Sequence, residues 1–216
     1  MAIVGGVKTG KTSLINWLQH HLRHKHNVLR CDFRNQPADT LRAIEQAARD
    51  AGLEGARLRD WTGFPDWARH TLLAGAKPCT LILDHVQEMD ENHLRNMQDG
   101  LHYFINQRRR EPALDRINLV LVYDEAAPAM RQTRDHASSL MRELKSLVLA
   151  CFDEGQIEAL LRPILKINDA IELETLARTA WETFGGHPFL THLWADALFS
   201  TVKHLDGVCR SIGQIA

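Results

Sequence analysis

Cysteine is scarce and scattered: Cys31, Cys79, Cys151 and Cys209 stand far apart, with no CxxC pair among them. That spacing argues against a zinc knuckle and against a disulfide framework, and it fits a reducing cytosol. Long apolar runs are missing as well. No stretch could span a bilayer, and the chain does not open on a signal-peptide pattern, so the expectation is a cytoplasmic protein without a membrane partner. Charge of either sign is not in excess: 26 Lys and Arg against 27 Asp and Glu leave a net charge of −1. Such a balance demands neither nucleic acid nor an acidic membrane as partner, although it leaves local patches open. Internal repeats and low-complexity linkers are absent too. What remains is a chain of 216 residues, 44% apolar and 25% charged, which reads as one globular domain, or one with a small appendage.

The most specific pattern comes at the front. Residues 5–12 read GGVKTGKT and fit G-x-x-x-x-G-K-[ST] at every fixed position. Ala2-Ile3-Val4 before it reads as a short buried strand, and SLINWLQHHL after it as a helix with Leu14, Ile15, Leu18 and Leu22 on one stripe. In a phosphate loop the glycines, here Gly5 and Gly10, let the backbone curl so that its N–H groups face phosphate oxygens, and the helix N-terminus adds positive charge. The expected nucleotide contacts are therefore Gly5, Gly6, Val7, Lys8, Thr9, Gly10, Lys11, Thr12 and Ser13. Lys11 would reach the β- and γ-phosphates, and the Thr12 hydroxyl would bind Mg²⁺. The ligands expected are ATP and Mg²⁺. A Gly-rich turn matching by chance is the bland alternative.

Beyond the loop, strand and helix alternate. Asn27–Phe33 places Leu29, Cys31 and Phe33 on one face and Arg30 and Asp32 on the other, as in a half-exposed edge strand. Residues 37–52 read as a helix that Gly52 ends, and PDWARHTLLAG as a shorter one. Thr80–Leu83 and Leu119–Tyr123 are continuous apolar runs, the pattern of parallel strands buried on both faces, with a helix over Glu91–Arg110 between them. Leu147–Cys151 is a fifth apolar run. The fold class predicted is α/β: an open, mostly parallel phosphate-loop sheet flanked by helices, then a small helical lid. Ligands in such sheets bind at the carboxyl ends of the strands, which makes Asp32, Asp84 and Asp124 candidates by position.

A magnesium-binding acid is expected at the end of a central strand. LVLVYDE, with Asp124 and Glu125, competes with TLILDH, which ends on Asp84 and His85. Taking Asp84 gives the order phosphate loop, edge strand, acidic strand and two further strands. That order resembles the additional-strand class of phosphate-loop ATPases, in which the fourth strand lies between the first and third. Asp84 is therefore favoured as the metal ligand beside Thr12. Asp124 or Tyr123 then becomes a polar sensor at the fourth strand end, or part of an exposed loop.

The C-terminal third carries a second resemblance. FGGHPFL at 184–190 precedes the helical THLWADALFS, and CFDEGQIEALLRPI precedes the helical ELETLARTAWETF. Together with the phosphate loop, these phrases resemble the AAA-like and STAND, or archaeal-type, group of ATPases and cover most of the chain. The resemblance implies a nucleotide-binding core over 1–151, a helical lid over 152–206 and a tail over 207–216. It also implies that Pro188 packs near the adenine. Read on its own, Pro188 suits a helix start because no N–H donor is needed there. Relatives in this group often have a glutamate directly after the acidic-strand aspartate, where this chain has His85. That departure leaves hydrolysis open. Glu88, four residues after Asp84, is the candidate base, with a solvated first-turn acid as the equal alternative. His85 would position a water or simply fill the loop.

Other groupings fade. His20, His21, His24 and His26 crowd a helix end without an acidic or cysteine partner, and cations are favourable there in any case. Arg108–Arg110 reads as a solvated helix end, and Arg131 or Arg134 as an arginine finger or plain loop residues. The function implied is an ATP-binding, ATP-hydrolysing regulatory switch whose nucleotide state governs the lid and a partner, through self-association or a second protein. A DNA-associated ATPase of transposition or replication-initiation type, and a non-hydrolysing nucleotide scaffold, are the alternatives. Relatives of the group carry further segments, so the chain reads as a fragment or a minimal version.

Overall fold

The computed structural model describes every residue except 35–38, 125–139, 141–142, 166–169 and 214–216. Glu125, Arg131 and Arg134 fall outside the described residues. The chain divides into two compact units, Met1–Val7 with Lys11–Leu149, and Lys8–Gly10 with Ala150–Ala216.

The first unit is a five-stranded sheet between helices. Its strands are β1 (Ala2–Gly5), β2 (Asn27–Asp32), β3 (Cys79–Asp84), β4 (Ile117–Asp124) and β5 (Ser146–Leu149). The order is β2-β3-β4-β1-β5 and every pairing is parallel, with β4 between β1 and β3 as the resemblance to the additional-strand class implies. The helices are α1 (Lys11–Leu22), α2 (Thr40–Asp50), α3 (Phe64–Thr71) and α4 (Glu91–Arg108).

The continuous apolar runs of β3 and β4 follow from burial on both faces, because successive side chains point to opposite sides of a sheet. Val4, Leu29, Cys31, Leu81, Leu83, Leu121 and Tyr123 join one core with Ile44 of α2, Phe64 of α3 and Met97, Leu101 and Phe104 of α4. The alternate residues Ile3, Ile82, Val120 and Val122 pack with Ile15 of α1 on the other face. Burying each of these side chains is worth about 1.5–3 kcal/mol. Two aspartates fix helix starts. Asp39 accepts from the N–H groups of Leu41 and Arg42, and Asp90 from those of Asn92 and His93. Gly52, at φ +73°, turns the chain out after α2 as expected.

One strand departs from its sequence pattern. The fifth apolar run is expected through Cys151, yet β5 stops at Leu149 and is largely exposed, with Leu147 and Val148 open to solvent. It is an edge strand beside β1, and its apolar residues reflect β propensity more than burial.

The second unit holds α5 (Glu154–Leu165), α6 (Ala170–Phe184) and α7 (Pro188–Gly213). Ile157, Leu161, Leu173, Ala177, Ala180 and Ala195 form its core, with Phe152 and Trp194 packed alongside. Gly185 (φ +57°) and Gly186 (φ +69°) make the turn between α6 and α7, a conformation that L side chains rarely adopt. A Cβ on Gly186 would also lie 1.9 Å from the Phe152 carbonyl oxygen. Pro188 then starts α7, which runs past residue 206 to Gly213.

Candidate functional site

The site is built from the carboxyl ends of β1, β3 and β4. β1 delivers Gly5, which is buried, into the turn Gly6–Gly10, and α1 begins at Lys11. The turn needs left-handed backbone twice, at Lys8 (φ +59°) and Gly10 (φ +94°). No neighbour would meet a Cβ on Gly10, so backbone angle rather than space calls for glycine there. A lysine held at positive φ is a local strain of the kind that clusters at ligand clamps. Val7 projects into solvent, and Thr12 and Ser13 are exposed in the first turn of α1. That turn contains no acidic residue, so its N–H groups and the helix dipole face no competing carboxylate of their own helix.

Lys11 folds back over the loop. Its Nζ donates to the Gly5 carbonyl at 2.8 Å and to the Gly6 carbonyl at 2.6 Å. Partial burial lowers its pKa, and the charges of Asp124 and then Asp84 act in the opposite direction. Both acids compared in the sequence thus lie within electrostatic range of Lys11. Asp124 ends β4 directly opposite Gly5 of β1. Its backbone N–H donates to Gln87 Oε1 at 3.3 Å, which links the β4 end to the segment after β3.

Asp84 ends β3 and is fully buried. Its Oδ2 accepts from Arg30 Nη2 at 2.6 Å, across from the neighbouring strand β2. Arg30 is held in turn by Asn16 Oδ1 at 2.9 Å and Gln19 Oε1 at 3.4 Å, both on α1. The other oxygen, Asp84 Oδ1, is buried without a hydrogen bond. His85 follows in the left-handed region (φ 58°, ψ 40°), which breaks the strand and turns the chain into the single 3-10 turn Val86–Glu88. Its Nδ1 lies 3.1 Å from Asp32 Oδ1 and 3.2 Å from Asp84 Oδ1, without the alignment of a hydrogen bond to either. Asp32, at the end of β2, is clasped by Arg34: Nη2 donates to Oδ2 at 2.7 Å, and Nε and the backbone N–H to Oδ1 at 3.1 Å each. The Arg34 hydrogen bonds hold the Asp32 carboxyl down at about 2. Glu88 is exposed at the end of the 3-10 turn, within electrostatic range of Arg34.

The first unit therefore gathers Lys11, Asp84 and Asp124 at one end of the sheet, with Asp32 and His85 beside Asp84. Pro188, buried at the start of α7, belongs to the second unit. Among the described residues, one group of three or more His, Cys, Asp or Glu is placed to hold a metal ion. It is Asp32, Asp84 and His85, and not the histidines at the end of α1. The sequence pattern marks Arg30 as a solvent-facing residue of an edge strand and gives no sign of the part Arg34 plays. The available signal was the charged series 30, 32 and 34, interleaved with apolar 29, 31 and 33. That alternation marks a strand face that is charged throughout, but not the acid of β3 next to it.

No family profile matches the sequence, and no curated protein sequence matches it. Solved structures do match in fold. An ORC2 protein of Aeropyrum pernix in its ADPNP-ADP complexes superposes over 98% of this chain at TM-score 0.60 with 16% identity. Its ADP form gives 0.58, also at 16% identity and 98% coverage of this chain. Cdc6p of Pyrobaculum aerophilum gives 0.56 over 95% of this chain, again at 16% identity. The chain spans 57%, 58% and 56% of those three chains. The shared feature is the fold, a parallel α/β sheet flanked by helices with a helical unit after it. No helix among the described residues is long and apolar enough to cross a membrane.

Proposed function

We propose that this protein binds ATP with Mg²⁺ in the loop Gly5–Thr12 and hydrolyses it, so that nucleotide state governs the helical unit and a partner. One observation carries the reading: the Lys11 ammonium lies against the carbonyls of its own loop, at the N-terminus of α1, with Asp84 and Asp124 in electrostatic range. An ammonium parked on neutral carbonyls gains by exchanging them for phosphate oxygens, because those acceptors carry full negative charge and attract it coulombically as well. The N–H groups of the loop and of the first turn of α1, from Gly6 through Ser13, supply the remaining donors.

The residues fit a magnesium ion. Asp84 Oδ1 is a buried carboxylate oxygen without a hydrogen bond, and the Thr12 hydroxyl is open in the first turn of α1. Thr12 and Asp84 would hold the ion, which neutralises charge on the β- and γ-phosphates. Asp124, facing Gly5, is suited to sense the γ-phosphate through its tie to Gln87. Glu88 is the carboxylate proposed to take the proton of the attacking water. Pro188 is proposed to contact the adenine and so couple the helical unit to the nucleotide.

The likeness in fold to ORC2 and Cdc6p structures favours one second reading, a DNA-associated ATPase of the replication-initiation kind. Turnover measured with and without duplex DNA separates the two. A rate raised severalfold by DNA supports the second reading, and an unchanged rate supports the protein-partner switch. Steady-state hydrolysis by the wild-type chain beside Lys11→Ala, Asp84→Ala, Glu88→Gln and Asp124→Ala tests the shared core. Turnover lost in the first three variants and reduced but still measurable in Asp124→Ala is the expected pattern. ATP that binds without turnover would leave a nucleotide-held scaffold.

A further inference from the structure

Three side chains at the ends of β2 and β3 meet around a common point. Asp32, Asp84 and His85 each offer a ligand atom within 4.8 Å of the other two, and His85 Nδ1 stands 3.1 Å from Asp32 Oδ1 and 3.2 Å from Asp84 Oδ1. Two of the three atoms, Asp84 Oδ1 and His85 Nδ1, are buried without a hydrogen-bond partner. Buried polar atoms are normally satisfied, so two orphans aimed at the same place call for a ligand.

We propose that Asp32, Asp84 and His85 form a binding site for a divalent transition-metal ion of the Mn²⁺, Co²⁺ or Zn²⁺ class. The geometry suits one. Bonds of about 2.0–2.2 Å at angles between octahedral and tetrahedral put neighbouring ligand atoms about 2.8–3.6 Å apart. The two distances from His85 Nδ1, 3.1 Å and 3.2 Å, fall inside that interval. Donor chemistry selects the class. Mg²⁺ and Ca²⁺ take oxygen ligands, whereas an imidazole with two carboxylates suits Mn²⁺, Co²⁺ and Zn²⁺. The surroundings orient the ligands. Arg30 takes Asp84 Oδ2 and Arg34 takes Asp32 Oδ2, which turns both Oδ1 atoms toward the imidazole. Asp32 Oδ1 also accepts from the Arg34 backbone N–H and Nε, and those bonds fix its place. The two guanidiniums already balance the two carboxylates, so the ion adds net positive charge to the cluster and its affinity is moderate. Left-handed backbone at His85 is what brings Nδ1 back toward the strand ends.

The site goes beyond the nucleotide reading and does not depend on it, although Asp84 serves both. The test uses the full chain, free of nucleotide, with His20→Ala and His24→Ala in the background to remove the helical imidazole pair. CoCl₂ is titrated and followed by visible absorption and calorimetry. The expected result is one equivalent bound, weakened more than about tenfold in His85→Asn and in Asp32→Asn and not weakened in Lys11→Ala, which removes a nearby positive charge. Asparagine tolerates left-handed backbone, so His85→Asn removes the imidazole while the turn survives, and circular dichroism checks the fold. No cobalt binding, or equal binding in His85→Asn, overturns the proposal. ATP affinity in Mg²⁺ buffer is measured on the same samples. Cobalt binding without ATP binding defeats the nucleotide reading alone, and ATP binding without cobalt binding defeats the metal site alone.

Discussion

Arg30 Nη2 stands 2.6 Å from Asp84 Oδ2, and the pair ties the edge strand β2 to the central strand β3 beneath the candidate site. The acid is 1% exposed and the arginine 18%. A carboxylate so buried remains charged only at the cost of its hydration, and Arg30 is what offsets that cost.

Removing Arg30 should therefore hurt more than removing an ordinary surface charge. Arg30→Ala is expected to lower stability by about 3 kcal/mol, within the range for leaving a buried partner unpaired. Urea denaturation reads the change. A loss near the ~0–1 kcal/mol typical of exposed pairs would show that Asp84 does not depend on Arg30.

Gly186 offers a second, independent test in the other unit. It combines φ +69° with a carbonyl 1.9 Å from where a Cβ would sit. Gly186→Ala should destabilise by about 2–3 kcal/mol, the scale of strain at a forbidden backbone position plus overpacking. Proteolysis at the α6–α7 turn is the readout, and an alanine variant as resistant as wild type contradicts the packing described.

The acid side of the stability curve should report Asp32. Its carboxyl is held at about 2 by the Arg34 hydrogen bonds, below the usual 3.8. A depressed carboxylate pKa adds stability that is fully present above the unfolded value and is lost as pH falls through the folded one. The stability gap between wild type and Asp32→Asn is thus expected to be constant at neutral pH and to shrink between about pH 4 and about pH 2. A gap that stays level across that window would sink the Asp32–Arg34 assignment.

The fold was legible because its strongest signals are local. A strand buried on both faces must be apolar throughout, and LILD and LVLVY carry that mark. The phosphate-loop pattern fixes a strand before it and a helix after it. The site was legible only in part. Lys11, Thr12, Asp84 and Asp124 are named by motif and strand end, whereas the Arg30–Asp84 contact joins residues 54 apart through strand pairing. Nothing local specifies which strand lies beside β3. His85 Nδ1 turning back toward Asp32 depends on a left-handed backbone that no glycine or asparagine announces. β5 misled in the opposite direction, since an apolar run on a sheet edge reads like a buried strand.

Nucleotide contact should also depend on Thr12 in a way that isolates the ion. Thr12→Ala is expected to leave ATP affinity without Mg²⁺ nearly unchanged and to remove most of the gain that Mg²⁺ brings. Fluorescent-nucleotide titration with and without the ion measures both, and an undiminished gain would place the ion elsewhere.

The most direct test is calorimetric titration of Mg-ATP into the wild-type chain and into Lys11→Ala. Saturable one-to-one binding by wild type, weakened about 10- to 150-fold in the variant, is the expected result, as befits one charge-assisted contact worth about 1.5–3 kcal/mol. Equal affinity in both chains, or no binding by a folded wild type, would contradict nucleotide binding at this loop.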